Sequence, residues 1–188
     1  MIIGLFNKDV FKILTVLSLS PGSRFLRKEL KEKTKMNNIN LDNALNILLN
    51  SNIILKEKRI IALNFENMLT KQIINLVSKQ YKELKELPLN AYFSICDIIS
   101  LLIKYKKIDV YLFGSYAKLI FKETSDIDLA VISDSLTKEQ KKEINKLATR
   151  IKERYSKDIE VHYFGRNFYK NRKDPLVKDI LKNSIKLL

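Results

Sequence analysis

The stretch Leu112–Ile132, LFGSYAKLIFKETSDIDLAVI, decides how the second half of this chain reads. It opens on apolar residues, turns at Gly114-Ser115, and after ten intervening residues reaches Asp126-Ile127-Asp128 in a run that otherwise reads as a buried strand. Residues two apart on a strand share a face, so Asp126 and Asp128 point one way while Ile127, Leu129 and Val131 face the core. Two carboxylates on one face raise each other's proton affinity unless a cation sits with them. A divalent ion removes that conflict. Hard oxygen ligands with open positions suit Mg²⁺, which fills its remaining sites with water and phosphate oxygens. Gly114-Ser115 follows a predicted strand and opens a short helix predicted over Tyr116–Leu119. Glycine there lets a backbone come close to a ligand, and the helix-start N–H groups and the Ser115 hydroxyl can meet a phosphate.

Working outward, Ile108–Phe113 and Ile159–Phe164 read as further strands, and Lys138–Tyr155 as a helix. Ala91–Lys106 and Pro175–Leu188 are also predicted helical. Glu160, flanked by Ile159 and Val161, is the candidate third acid, with Asp158 and His162 on its face. The lone histidine, His162, reads as a structural residue, and Cys96 as core. Strands alternating with helices place this half in the α/β or α+β class.

Upstream, apolar spacing predicts helices over Asn7–Leu19, Arg24–Lys33 and Asn40–Asn50. Two β runs, Ile53–Leu55 and Ile60–Leu63, follow around the basic turn Lys56–Arg59. Three short helices and a hairpin, spanning Asn7–Asn64, resemble a winged helix-turn-helix domain. A helix over Glu66–Leu87, stopped by Pro88, joins it to the rest. The expected organisation is a winged helix-turn-helix domain at 1–65, a linking helix at 66–90, and a domain at 91–188.

The 188 residues carry a formal net charge of +14 and 46% apolar residues, an ordinary globular composition. The charge suits a polyanionic partner; a Lys-rich proteome gives the same excess. One cysteine excludes an internal disulfide. The first residues lack a basic, apolar leader, and no run is long enough for a membrane helix, so a cytoplasmic protein is expected.

Gly114-Ser115-Tyr116-Ala117, ten residues from Ser115 to Asp126, then Ser125-Asp126-Ile127-Asp128-Leu129 and a later acid resemble the nucleotidyltransferase superfamily of DNA polymerase β, and within it the minimal nucleotidyltransferases. The resemblance covers about Ile108 to Phe164. It implies a small mixed sheet flanked by helices, so that the whole chain is α+β. It implies that Asp126, Asp128 and Glu160 are catalytic and hold Mg²⁺, two ions in all. It implies that Gly114, Ser115 and Lys118 bind a nucleoside triphosphate. An acceptor hydroxyl then attacks the α-phosphate and pyrophosphate leaves. The minimal subgroup implies AMP transfer from ATP to a protein or small acceptor, as in antitoxins that modify a HEPN-family toxin. Lys118 and Leu119 stand where that family has Arg-Gly. Lys keeps the charge but loses the planar fork that grips phosphate.

The competing reading is a DNA-binding regulator or antitoxin whose transferase half is weakly active and serves binding. Asn40–Asn50 has no Lys or Arg, so double-stranded DNA would be held by Arg24, Arg27, Lys28, Lys56, Lys58 and Arg59, with Asn43 reaching bases. A homodimer is among the assemblies the sequence allows.

Overall fold

The computed structural model of the chain describes residues 7–188, so the reading of a missing leader peptide falls partly outside the described residues. The chain divides into two compact units, Met1–Leu89 and Asn90–Leu188. No described helix is long and apolar enough to cross a membrane.

In the first unit α1 (Lys8–Leu19) starts at Asn7, whose side chain accepts the Asp9 N–H at 2.8 Å. That satisfies one of the N–H groups a helix start leaves unpaired. Val10, Ile13, Leu14 and Leu17 form its buried face, at the three- and four-residue spacing of the sequence. α2 (Arg27–Thr34), α3 (Asn38–Asn50) and α4 (Met68–Glu83) pack against α1. A two-residue strand, β1 (Phe25–Leu26), precedes α2. It joins β2 (Ile54–Glu57) and β3 (Ile60–Leu63) in an antiparallel sheet of order β1-β3-β2. The turn of the β2–β3 hairpin is Lys58-Arg59, with Lys58 at φ 55°.

The second unit opens with α5 (Leu89–Leu102), on which Cys96 is half-buried where the sequence suggested core. A mixed sheet follows, of order β6-β5-β4-β7. β4 (Asp109–Phe113) runs antiparallel to β5 (Ile127–Ile132), and β5 runs parallel to β6 (Ile159–Phe164) across the helix α7 (Lys138–Tyr155). The parallel pair needs such a crossover helix, and Thr137 and Gln140 form a capping box at its start. β5 is buried throughout except at Asp128, which is half-buried. This is a mixed α+β arrangement, small sheets flanked by helices, consistent with the fold class the resemblance implies.

The C-terminus departs from expectation. Helix α8 (Pro175–Asn183) stops early, and Ile185–Lys186 form β7 against Leu112 and Tyr111 of β4. The free edge of β4 supplies unpaired N–H and C=O groups, and pairing with them outweighs the helical tendency of the last residues. The Val110 carbonyl also accepts from Leu187 N–H at 2.8 Å.

Candidate active site

One face of the second sheet carries the chemistry. The β5–β6 register pairs Asp128 with Glu160, Ala130 with His162 and Ile132 with Phe164. Phe113 of β4 pairs with Asp128. Along this face the residues pass from acidic to apolar, and the apolar end is a cluster of Phe113, Ala130, Ile132, Phe168, Val177 and Ile180 packed beside Phe164. Half-buried Phe164 and buried Phe168 pack together here, their rings 4.9 Å apart.

At the acidic end a single glycine makes the geometry feasible. Gly114 adopts φ +68°, a conformation that costs other residues energy. A Cβ placed there would lie 2.1 Å from Asp128 Oδ2. The close approach read from the sequence is thus filled by the Asp128 carboxylate, which sits against the Gly114 backbone at the start of α6 (Gly114–Lys118). Ser115 stands next on this helix, half-buried. Tyr116 is buried, with its ring stacked on Phe121 at 4.5 Å and its hydroxyl without a hydrogen-bond partner.

The acids crowd one another. Ligand atoms of Asp128, Glu160 and His162 all lie within 4.8 Å of each other. Burial pushes the Asp128 carboxyl above the usual carboxylate range; Glu160 and Asp126 push it further, and His162 pulls it back. A carboxylate held this way gains from a bound cation, and two carboxylates with an imidazole are a reasonable donor set for one, so these residues fit a divalent metal.

Asp126 stands apart from that trio. It is exposed, one residue before β5, and Ile127 N–H donates to the Asp158 carbonyl at 2.9 Å to start the ladder. It lines a cleft of about 470 Å³ with Glu123, Ser125, Lys152 and Asp158. Lys152 and Asp158, across that cleft, form an ion pair. The loop before Asp126 is pinned twice. Lys122 N–H donates to Ser125 Oγ at 2.8 Å. Lys157, only 4% exposed, donates its ammonium to the Glu123 carbonyl and lies 5.7 Å from the centre of the Tyr116 ring. Lys157 thereby ties the Gly-Ser helix to the acid loop. Nothing in the sequence singled it out, since its neighbours are an ordinary helix end.

Two residues at the end of α6 behave unlike the family pattern. Lys118 is held by Asp179 of α8, at 2.8 Å, and the ammonium keeps the Asp179 carboxyl below its usual pKa. Leu119 caps the helix at φ 58°, ψ 31°, the left-handed region where glycine is favoured. It is half exposed, and Ile120 beside it is 70% exposed.

In the first unit Arg27 donates to Asp42 of α3 at 2.7 and 2.8 Å, so this guanidinium already has its anion. Asp42 titrates below its usual value because of that bond. Lys28 is exposed near Glu32 at 3.9 Å. Arg24, Asn43, Lys56, Lys58 and Arg59 are exposed, the last three on and beside the hairpin turn.

Residues 95–187 match the family model of the nucleotidyltransferase domain. The match takes in β4, α6, β5, α7 and β6, the elements that carry the site, and it supports placing the second unit in the nucleotidyltransferase superfamily, with nucleotidyl transfer as its general activity. No curated protein and no solved structure matches the chain significantly.

Proposed function

We propose that the chain is a Mg²⁺-dependent nucleotidyltransferase that moves AMP from ATP onto a hydroxyl of a protein or small acceptor. The observation that carries this reading is the seating of Asp128 against the Gly114 backbone with Glu160 registered beside it. That seating joins the two halves of the motif in one place. Asp126, Asp128 and Glu160 would hold the divalent ions, which neutralise the triphosphate and align the attacking and leaving oxygens. The chain's own part is positioning. The N–H groups at the start of α6 and the Ser115 hydroxyl meet the β- and γ-phosphates, and the Gly114 turn fixes their distance from Asp128. Asp126, on its pinned loop, faces the cleft through which an acceptor approaches.

The first unit acts as a winged helix-turn-helix module. Its order of α1, β1, α2, α3 and a two-stranded wing supports this. Its acceptor or partner is a protein, a HEPN-family toxin in the reading the minimal subgroup suggests, because α3 carries no Lys or Arg and its Asp42 takes up Arg27, a cation a nucleic acid would need. A second reading has one observation in its favour. Lys118 is committed to Asp179 and Leu119 occupies a left-handed position, so the phosphate loop is poorer in cations than the family pattern. Under that reading transfer is weak, and the chain is a DNA-binding regulator or antitoxin that works by binding.

The experiment is incubation of the purified chain with α-labelled ATP, Mg²⁺ and a lysate. Label on a lysate protein, absent with Asp128→Asn, supports the enzyme. No transfer and no Mg²⁺-dependent nucleotide binding overturns it. A gel shift whose affinity falls as salt rises would restore the regulator.

A further inference from the structure

Glu160 and His162 lie two residues apart on β6 and share the face of Asp128. His162 Nε2 is 3.3 Å from Glu160 Oε1. The His162 ring stands edge-on to Phe113, centroids 5.2 Å apart, which limits the planes it can take. Its cross-strand partner is Ala130, whose methyl leaves room on this face, just as Gly114 leaves room beside Asp128. One ligand atom from each of the three side chains thus lies within 4.8 Å of the other two. The sequence pattern expected oxygen donors only; the fold adds a nitrogen.

We propose that His162 is a metal ligand, and that Asp128, Glu160 and His162 together form a mixed oxygen–nitrogen site selecting Mn²⁺ over Mg²⁺. Mg²⁺ is small, demands near-octahedral oxygen coordination and dehydrates reluctantly. Imidazole suits first-row transition ions, and carboxylates suit the hardest of them, Mn²⁺. Two carboxylates and one imidazole therefore favour Mn²⁺ at this position. Asp126 lies outside this trio, in the cleft it shares with Glu123, Ser125, Lys152 and Asp158. The inference deepens the transferase reading by naming the metal of the same site, yet it stands on the donor set and is tested without transfer.

The metal-stripped full chain is loaded with Mn²⁺, and electron spin echo modulation reads whether a nitrogen is bound to the ion. A coupled imidazole nitrogen is expected in the wild type and is absent in His162→Gln. Free-ion electron paramagnetic resonance, with Mg²⁺ as competitor, then gives relative affinities. Mn²⁺ is expected to bind about tenfold more tightly than Mg²⁺, and His162→Gln to lose about that factor for Mn²⁺ while Mg²⁺ affinity holds. A wild-type Mn²⁺ spectrum without nitrogen coupling overturns the proposal, and needs no variant that folds. Equal affinity for the two ions also overturns it. A chain that binds Mn²⁺ through His162 but moves no nucleotide sinks the transferase reading and leaves this one standing.

Discussion

Asp109 and Asp128 lie on neighbouring strands of one sheet and live in opposite surroundings. Asp109, at the start of β4, accepts Lys186 Nζ and the Tyr169 hydroxyl, each at 2.9 Å, and its carboxyl titrates below the usual range because of them. Asp128, on β5, faces Glu160 and the bare backbone of Gly114, and burial holds its carboxyl above that range. A carboxylate given its own cation closes the sheet, here by tying β7 to β4. A carboxylate denied one is left to take a cation from outside.

The comparison breaks most visibly by exchanging the two aspartates for asparagine. Asp128→Asn is expected to cut nucleotidyl transfer by about a thousandfold or more, since it removes a charge that would hold metal at the reacting phosphate. Asp109→Asn is expected to leave transfer nearly unchanged. Initial rates with labelled ATP for both variants decide it, and equal losses would erase the distinction drawn between the two sites.

Gly114→Ala tests the close approach that sets Asp128 in place. The new methyl would lie 2.1 Å from Asp128 Oδ2, at a positive φ of 68°. The left-handed conformation alone costs about 1–2 kcal/mol, and the carboxylate must move besides. Denaturant unfolding should show a loss of that order, and divalent-metal affinity should fall with it. A variant as stable as the wild type, with unaltered metal affinity, would mean that Asp128 relaxes freely.

Lys157→Met keeps the aliphatic stem and removes the buried ammonium that joins Glu123 to the Tyr116 ring. It takes the donor from the Glu123 carbonyl, a part-buried bond on an exposed residue, at a cost of about 1 kcal/mol. Amide exchange should quicken at Glu123–Asp126 and hold steady along β5. Uniform quickening would show that Lys157 supports the whole unit and not the acid loop.

How much of this was legible in the sequence depends on what each contact spans. The strands Ile127–Ile132 and Ile159–Phe164 and the helix Lys138–Tyr155 have the bounds the apolar spacing predicted, because each is decided by its own residues. Gly114 at the end of a strand and Asp128 within one fell on the expected elements for the same reason. β7 was not, since it exists only where the distant edge of β4 offers partners. The trio of Asp128, Glu160 and His162 required the parallel register of β5 and β6, which spacing alone does not give. The one signal available was that His162 follows Glu160 by two. The pairing of Lys118 with Asp179 was not legible either, since the two lie 61 residues apart.

Leu119→Gly sharpens the contrast between the loop's two left-handed positions, one filled by glycine and one not. Leu119 sits at φ 58° with half of its surface exposed, so glycine there relieves backbone strain at little packing loss. Set against the entropy glycine loses on folding, the net gain is up to about 1 kcal/mol. A rise in the unfolding midpoint checks it. A fall would show that the Leu119 side chain packs usefully.

The smallest effect is electrostatic and returns to Asp109. Its pKa is lower in the folded chain than in the unfolded one, so between those values the unfolded chain binds more protons. Stability from the Asp109–Lys186 pair is therefore complete above the ordinary aspartate value, about 4, and is lost as the pH falls through the folded value. Lys186→Met should lower the unfolding midpoint slightly at pH 7 and by less at pH 3. The partial exposure of both groups keeps the difference small, and added salt should shrink it further. If the variant instead lost equal stability at both pH values, the contact of the Lys186 ammonium with the Tyr111 ring, 5.9 Å from its centre, would be holding β7 to β4, and the pairing with Asp109 would not.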